Sequence, residues 1–150
     1  MGNEQTKGQR ELDAFADFVR VARLPIDFAS VKKRVPPEPD LLCYHNVDGP
    51  LAFELVEICD PNLARSIANP HPSGVEYIRT SDPSSQIIRR KLRRKYTSAV
   101  PIELLCYTAG RVITPADVII PTIRPYLASF THIFRRAWLL TDQHASLLWE

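Results

Sequence analysis

The chain reads as a mixed α/β domain, and three observations predict it. Residues 11–22 carry apolar side chains at helical spacing, Asp48-Gly49 sits between two short apolar runs, and a second helix-like segment precedes another apolar run at 101–108. Helices alternating with strands that are apolar on both faces require a mixed sheet covered by helices. With 150 residues and 45% hydrophobic content, the chain can bury one real core, so residues 1–150 are expected to form a single domain.

In the first segment Leu12, Phe15, Ala16, Val19 and Ala22 form one stripe, with Asp13, Asp17 and Arg20 away from it. Pro25, Pro36, Pro37 and Pro39 break the pattern that follows, and 24–39 is expected to be a connector ending at Asp40. Residues 41–44 and 51–59 then make a hairpin around the Asp48-Gly49 turn. A short helix at 62–68 and a short strand at 74–79 are expected among Pro70, Pro72 and Pro83. Ser81-Asp82-Pro83 has the form of a helix start, and that helix is expected to run to about Tyr96. Residues 101–108 form a buried strand, Thr114-Pro115 opens a partly helical stretch towards Ala128, and 134–140 and 144–149 are closing strands. The echo between residues 40–44 and 103–107 spans five residues, which strand chemistry explains without a duplication.

Composition removes several function classes. The longest apolar runs fall far short of the roughly 18 residues of a membrane span, so no membrane partner is expected. The polar start of the chain lacks the apolar stretch of a secretory signal, which points to the cytoplasm and a reducing compartment. Cys43, Cys59 and Cys106 are odd in number, lie in apolar runs and include no C-x-x-C pair, as expected of small buried strand residues rather than zinc ligands or a disulfide framework. His45, His71, His132 and His144 lack metal-ligand spacing and receive no role. There is no G-x-G-x-x-G, P-loop or G-x-S-x-G sequence, and 5 glycines against 13 prolines disfavour a glycine-rich phosphate cradle.

Glu54 is the first anomaly, because a strand with Ala52, Val56 and Ile58 on its face holds a carboxylate only if something compensates its burial. Asp40 starts the preceding strand of the same hairpin. Two acids meeting at one end of paired strands form an oxygen-rich site suited to Mg²⁺ or Mn²⁺. A second anomaly follows on the next helix, where Lys91 shares a face with Ile87, Ile88, Leu92 and Lys95, while Arg89, Arg90, Arg93 and Arg94 spread over the outer sides. A lysine there either finds a counter-charge or snorkels to the surface.

Pro39-Asp40, Glu54-Leu55-Val56 and the helix around Lys91 resemble the PD-(D/E)XK, or restriction-endonuclease-like, nuclease superfamily. The similarity extends over roughly residues 11–108. The resemblance implies a mixed sheet flanked by helices, with Asp40 and Glu54 as ligands of a catalytic Mg²⁺ or Mn²⁺. It implies a lysine two residues after the glutamate, where this chain has Val56, and Lys91 is the expected substitute with Lys95 as its fallback. Glu11 resembles the helical glutamate that members bring to the site, against the plain reading of an exposed glutamate near a helix N-terminus. Glu57, three residues from Glu54 on an extended strand, is expected on the other sheet face and is a further auxiliary acid. The implied activity is metal-dependent phosphodiester hydrolysis of DNA. The alternative is a catalytically degenerate module of the same fold that only binds nucleic acid or protein, and a homodimer stays open.

The formal net charge is only +2, but six of the 19 basic residues fall in the seven positions 89–95. Such a strip attracts phosphates, so Arg89, Arg90, Arg93 and Arg94 are expected to contact nucleic acid, against the plain alternative of a solvated helix face. No aromatic residue interleaves the run, which gives base stacking no support.

Overall fold

The computed structural model describes residues 2–58, 84–108, 116–142 and 144–150. In chain order the elements are α1 (Gly2–Ala22), β1 (Ile26–Lys33), β2 (Leu41–His45), β3 (Gly49–Glu57), α2 (Ser84–Arg93), β4 (Ile102–Tyr107), α3 (Ala116–Ser129), β5 (Phe134–Thr141) and β6 (His144–Trp149). The expected segments at 62–68 and 74–79, the helix start at 81–83, Thr114-Pro115 and Cys59 lie outside the described residues.

The strands pair in chain order as one mixed sheet. β1, β2 and β3 form an antiparallel meander, β4 and β5 run parallel to β3, and β6 returns antiparallel to β5. A parallel pair cannot be joined by a tight turn, so the chain crosses between β3, β4 and β5 through segments that contain α2 and α3. The hairpin turn is held by His45, whose Nδ1 accepts the N–H groups of Val47 and Asp48, and by Gly49 at φ 86°.

Period-two alternation on β3 divides the core into two layers. Ala52, Val56 and Ile58 pack with Ile88 and Leu92 of α2 and with Ile119, Ile123 and Leu127 of α3. Phe53 and Leu55 face the other way, where Phe15 and Phe18 of α1 close on Phe53 with ring centroids 5.0 and 5.9 Å away. Each such fully buried side chain contributes about 1.5–3 kcal/mol, which fixes α1 on the sheet. Glu54 therefore stands on the α2 face, in the row of Ala52 and Val56.

Two expectations are corrected. Residues 24–39 are not a plain connector, because β1 occupies Ile26–Lys33 as the edge strand beside β2. Its exposed positions and its Lys32-Lys33 end hide a buried-strand pattern, and lysine on an edge is the usual protection against stray pairing. Helix α2 ends at Arg93, before the expected Tyr96, so Tyr96 belongs to the following loop. Cys43 and Cys106 are buried on strands, and burial pushes both thiols up to about 12, which keeps them protonated and unreactive at neutral pH. No helix among the described residues is long and apolar enough to cross a membrane.

Candidate functional site

The β2–β3 ladder ends at the pair Leu41↔Phe53. The next pair would be Asp40 and Glu54, and there side chains take over the hydrogen bonds. The Asp40 N–H donates to Glu54 Oε1 at 3.0 Å, and the Leu55 N–H donates to Asp40 Oδ2 at 2.9 Å. The Asp40 carbonyl accepts the Arg34 N–H at 2.8 Å, so this residue is fixed on both sides. Pro39 ahead of it is buried.

Glu54 is 1% exposed, and Lys91 supplies its counter-charge. Lys91 Nζ donates to Glu54 Oε2 at 2.8 Å from the inner face of α2, while the Tyr96 hydroxyl donates to the same oxygen at 2.9 Å. Arg94 stands further off at 3.6 Å. Lys91 thus meets a carboxylate rather than snorkelling, and its side chain is only 17% exposed. Burial and the neighbouring Glu54 charge push the Tyr96 phenol far above its ordinary value, so it remains a donor at any working pH.

Asp40 and Lys91 line a cleft of about 1100 Å³, with Glu54 immediately behind them. Its walls carry Lys7, Arg10 and Glu11 from α1, Lys33 at the end of β1, Arg34 just beyond, and Arg94. Glu11 is 5% exposed on the same stripe as Phe15 and Phe18, and two loose ion pairs hold it, with Lys7 at 3.9 Å and Lys33 at 3.8 Å. Burial, then Glu54, push the Asp40 carboxyl up to about 7, with Glu11 adding to the rise and the Leu55 N–H and Lys91 opposing it. Its ionisation is thus opposed by two other acids, the condition a divalent cation relieves. No group of three or more His, Cys, Asp or Glu among the described residues closes around a cation position. Of the carboxylates at hand, Asp40 opens to the cleft, while both Glu54 oxygens already accept hydrogen bonds, Oε1 from the Asp40 N–H and Oε2 from Lys91 and Tyr96; Mg²⁺ usually keeps several waters and takes one or two protein carboxylates.

The remaining sequence-predicted residues are divided. Glu57 lies on the α1 face, 3.5 Å from Arg10, and does not join Glu54. Lys95 is exposed beyond the end of α2 and outside the cleft lining. Of the four arginines, Arg94 lines the cleft; the Arg89 guanidinium lies over the Tyr126 ring at 5.3 Å, and Arg90 and Arg93 are exposed elsewhere. Sequence reasoning missed Tyr96, because the helix ends before it and periodicity carries no signal there. It missed Lys7, Arg10, Lys33 and Arg34 as well, because only the pairing of β1 with β2 brings their two elements to one end of the sheet. No family model, curated protein or solved structure matches the chain.

Proposed function

We propose that the chain is a divalent-metal-dependent nuclease that hydrolyses phosphodiester bonds of DNA, as a divergent relative of the PD-(D/E)XK enzymes. The observation that carries the reading is the linked set Asp40, Glu54 and Lys91 at the wall of a cleft lined by cations. Asp40 and Glu54 would hold Mg²⁺ or Mn²⁺, which when bound lowers the pKa of water and neutralises charge on the scissile phosphate. The chain's own residues supply the rest. Lys91, in place of the lysine absent at Val56, orients the Glu54 carboxylate and presents its ammonium where a phosphate or attacking water would sit. Tyr96 holds the second lone pair of the same oxygen. Lys7, Arg10, Arg34 and Arg94 attract the phosphate backbone into the cleft by charge alone, which favours binding without sequence preference.

The test uses the purified chain with DNA and Mg²⁺ or Mn²⁺. Cleavage abolished by EDTA and by Lys91→Ala, with salt-sensitive DNA binding retained in the variant, is the expected result, since one phosphate contact is a small part of binding. Val56 and the saturated Glu54 oxygen favour one other reading, a degenerate module that binds without cleaving. Tight, salt-sensitive binding with no cleavage in either metal is the outcome that reading requires.

A further inference from the structure

Six cationic side chains line the cleft, Lys7, Arg10, Lys33, Arg34, Lys91 and Arg94, against two acids, Glu11 and Asp40. Arg10 and Arg34 each have a further acid of their own, Glu57 at 3.5 Å and Glu38 at 2.8 Å. The other four cations share two buried glutamates in pairs. Glu11 stands 3.9 Å from Lys7 and 3.8 Å from Lys33, one lysine at each oxygen, while Glu54 Oε2 meets Lys91 at 2.8 Å and Arg94 at 3.6 Å. Exposure then separates the signs. The Lys7, Lys33 and Arg94 side chains are 70%, 41% and 56% exposed, against 7% and 2% for Glu11 and Glu54. The cleft therefore presents positive charge to whatever enters it, and a cleft of one sign concentrates ligands of the other.

Lys7 and Lys33 are the pair best placed to take an anion. They come from different elements, α1 and β1, and converge on one carboxylate. At 3.8 and 3.9 Å neither ammonium is hydrogen-bonded to it, so their N–H groups are left to a ligand. Two positive charges against one negative leave a surplus that a doubly charged anion fills. A phosphate monoester has about −1.5 to −2 charges at neutral pH and three acceptor oxygens, whereas each phosphate inside a nucleic-acid strand carries one charge. Among the described residues no aromatic side chain lines the cleft, so base stacking has no platform there. We infer that the Lys7–Lys33 wall is a metal-independent binding site for a phosphate monoester, either the terminal phosphate of a nucleic-acid strand or a small phosphorylated molecule. The site shares its cleft with the nuclease reading but needs neither a metal ion nor cleavage.

The test uses the full chain in EDTA and a short single-stranded oligothymidylate with a 5′-phosphate, a 3′-phosphate or hydroxyl ends. One of the phosphorylated strands should bind about tenfold more tightly than the hydroxyl-ended one, as expected for a dianion near two partly exposed ammonium groups. Lys7→Gln and Lys33→Gln should each bring that ratio below about threefold. Lys32→Gln removes the same charge outside the cleft lining and should keep the ratio. Glu11→Gln releases both ammonium groups and should tighten the phosphorylated strand about threefold, which a merely structural lysine–glutamate contact does not predict and which serves if a lysine variant fails to fold. Inorganic phosphate is titrated calorimetrically at an ionic strength fixed with chloride. Phosphate binding lost in Lys33→Gln, with no preference among the strands, assigns the site to small phosphorylated molecules. Neither a strand preference nor lysine-dependent phosphate binding, or a ratio lowered as much by Lys32→Gln as by Lys33→Gln, overturns the inference. A lysine-dependent preference in a protein that cleaves no DNA with Mg²⁺ or Mn²⁺ keeps this site and removes the nuclease reading. Cleavage by a protein that shows neither preference nor phosphate binding does the reverse.

Discussion

Glu54 and Glu103 are neighbours on adjacent parallel strands, one register step apart, and both are almost wholly buried, at 1% and 2% exposure. Each is bonded to a cation and to an aromatic donor. Their surroundings differ in kind. Glu103 faces the α1 side, where Arg135 Nε donates to Oε2 at 3.0 Å and the Trp138 indole N–H donates to Oε1 at 2.8 Å. A bulge in β5 sets two residues, Arg135 and Arg136, against the single Glu103, so a second guanidinium approaches to 3.5 Å. Arg135 also binds Asp48 in the hairpin turn at 3.1 Å, closing a network that ties β3, β4 and β5 together. Glu54 is met by a flexible ammonium and a phenol, with a second acid, Asp40, open to a cleft beside it. Burial of an acid marks a compensated charge. What sets Glu54 apart is that the acid beside it, Asp40, lines the cleft.

The sharpest way to break this contrast is to delete each carboxylate. Glu103→Ala leaves a partly buried guanidinium and a buried indole N–H without their acceptor, and should destabilise the fold by about 3–5 kcal/mol in urea unfolding. Glu54→Ala should cost clearly less, because Lys91 can extend into the cleft and hydrate. Equal losses at the two positions would make Glu54 a clasp as well.

Activity should sort the pair in the opposite order. Glu54→Gln keeps the acceptor for the Asp40 N–H but removes the charge, and DNA cleavage in Mg²⁺ should fall by at least about a hundredfold, more than the usual loss of an outer-shell partner. Glu103→Gln, assayed well below its melting temperature, should stay within about threefold of the wild type, in line with a group that touches no reacting atom. A comparable loss at Glu103 would mean that the strand geometry, not the acid, limits the reaction.

The third test uses pH. The folded Asp40 carboxyl keeps its proton up to about pH 7, whereas the unfolded one releases it near 3.8. Between these values the native state binds more protons than the unfolded chain, so stability contributed by Asp40 is lost as pH rises from about 4 to 7 and stays lost above. Asp40→Asn retains an oxygen for the Leu55 N–H and carries no charge. It should match the wild type near pH 4 and exceed it by about 2 kcal/mol at pH 8, roughly half of what three pKa units would give because the cleft side is solvated. A gap that does not change with pH would remove Asp40 from the charge-frustrated site.

These residues were unequally legible in the sequence. Glu54 and Lys91 stand out because each breaks an apolar period, and Asp40 because a proline fixes the chain just before it; the fold brings all three together. The hairpin, α1 and the order of the later strands follow from periodicity and turn chemistry. β1 was illegible, since an exposed edge strand of mixed polarity has no period to read. Glu103 was passed over although it interrupts an apolar strand just as Glu54 does. Its partners lie more than thirty residues downstream, and the bulge that aims them has no local signature. The run of arginines at 89–94 is read from the sequence as one strip, yet the fold separates them: Arg94 lines the cleft and the Arg89 guanidinium packs on Tyr126, because charge density along the chain is not charge density in a cleft.

The smallest expected effect separates the two aromatic donors. Tyr96→Phe keeps the ring against Phe134, 5.7 Å between centroids, and removes only the hydroxyl that donates to Glu54 Oε2. Lys91 still occupies that oxygen, so the stability loss should be about 1 kcal/mol, near the net worth of one hydrogen bond. The consequence for cleavage should be larger than that figure suggests, about tenfold in kcat with KM nearly unchanged, because Oε2 is left with only the flexible Lys91 as a close donor while the Asp40 N–H holds Oε1 alone. Trp138→Phe is the matched change at Glu103. It removes the indole N–H and part of the ring that meets Phe18 edge-on at 5.3 Å, so it should cost more stability than Tyr96→Phe and leave kcat where it was. If instead Tyr96→Phe lowers stability and spares kcat, the hydroxyl serves only to neutralise a buried acid, and Glu54 and Glu103 are two versions of one clasp.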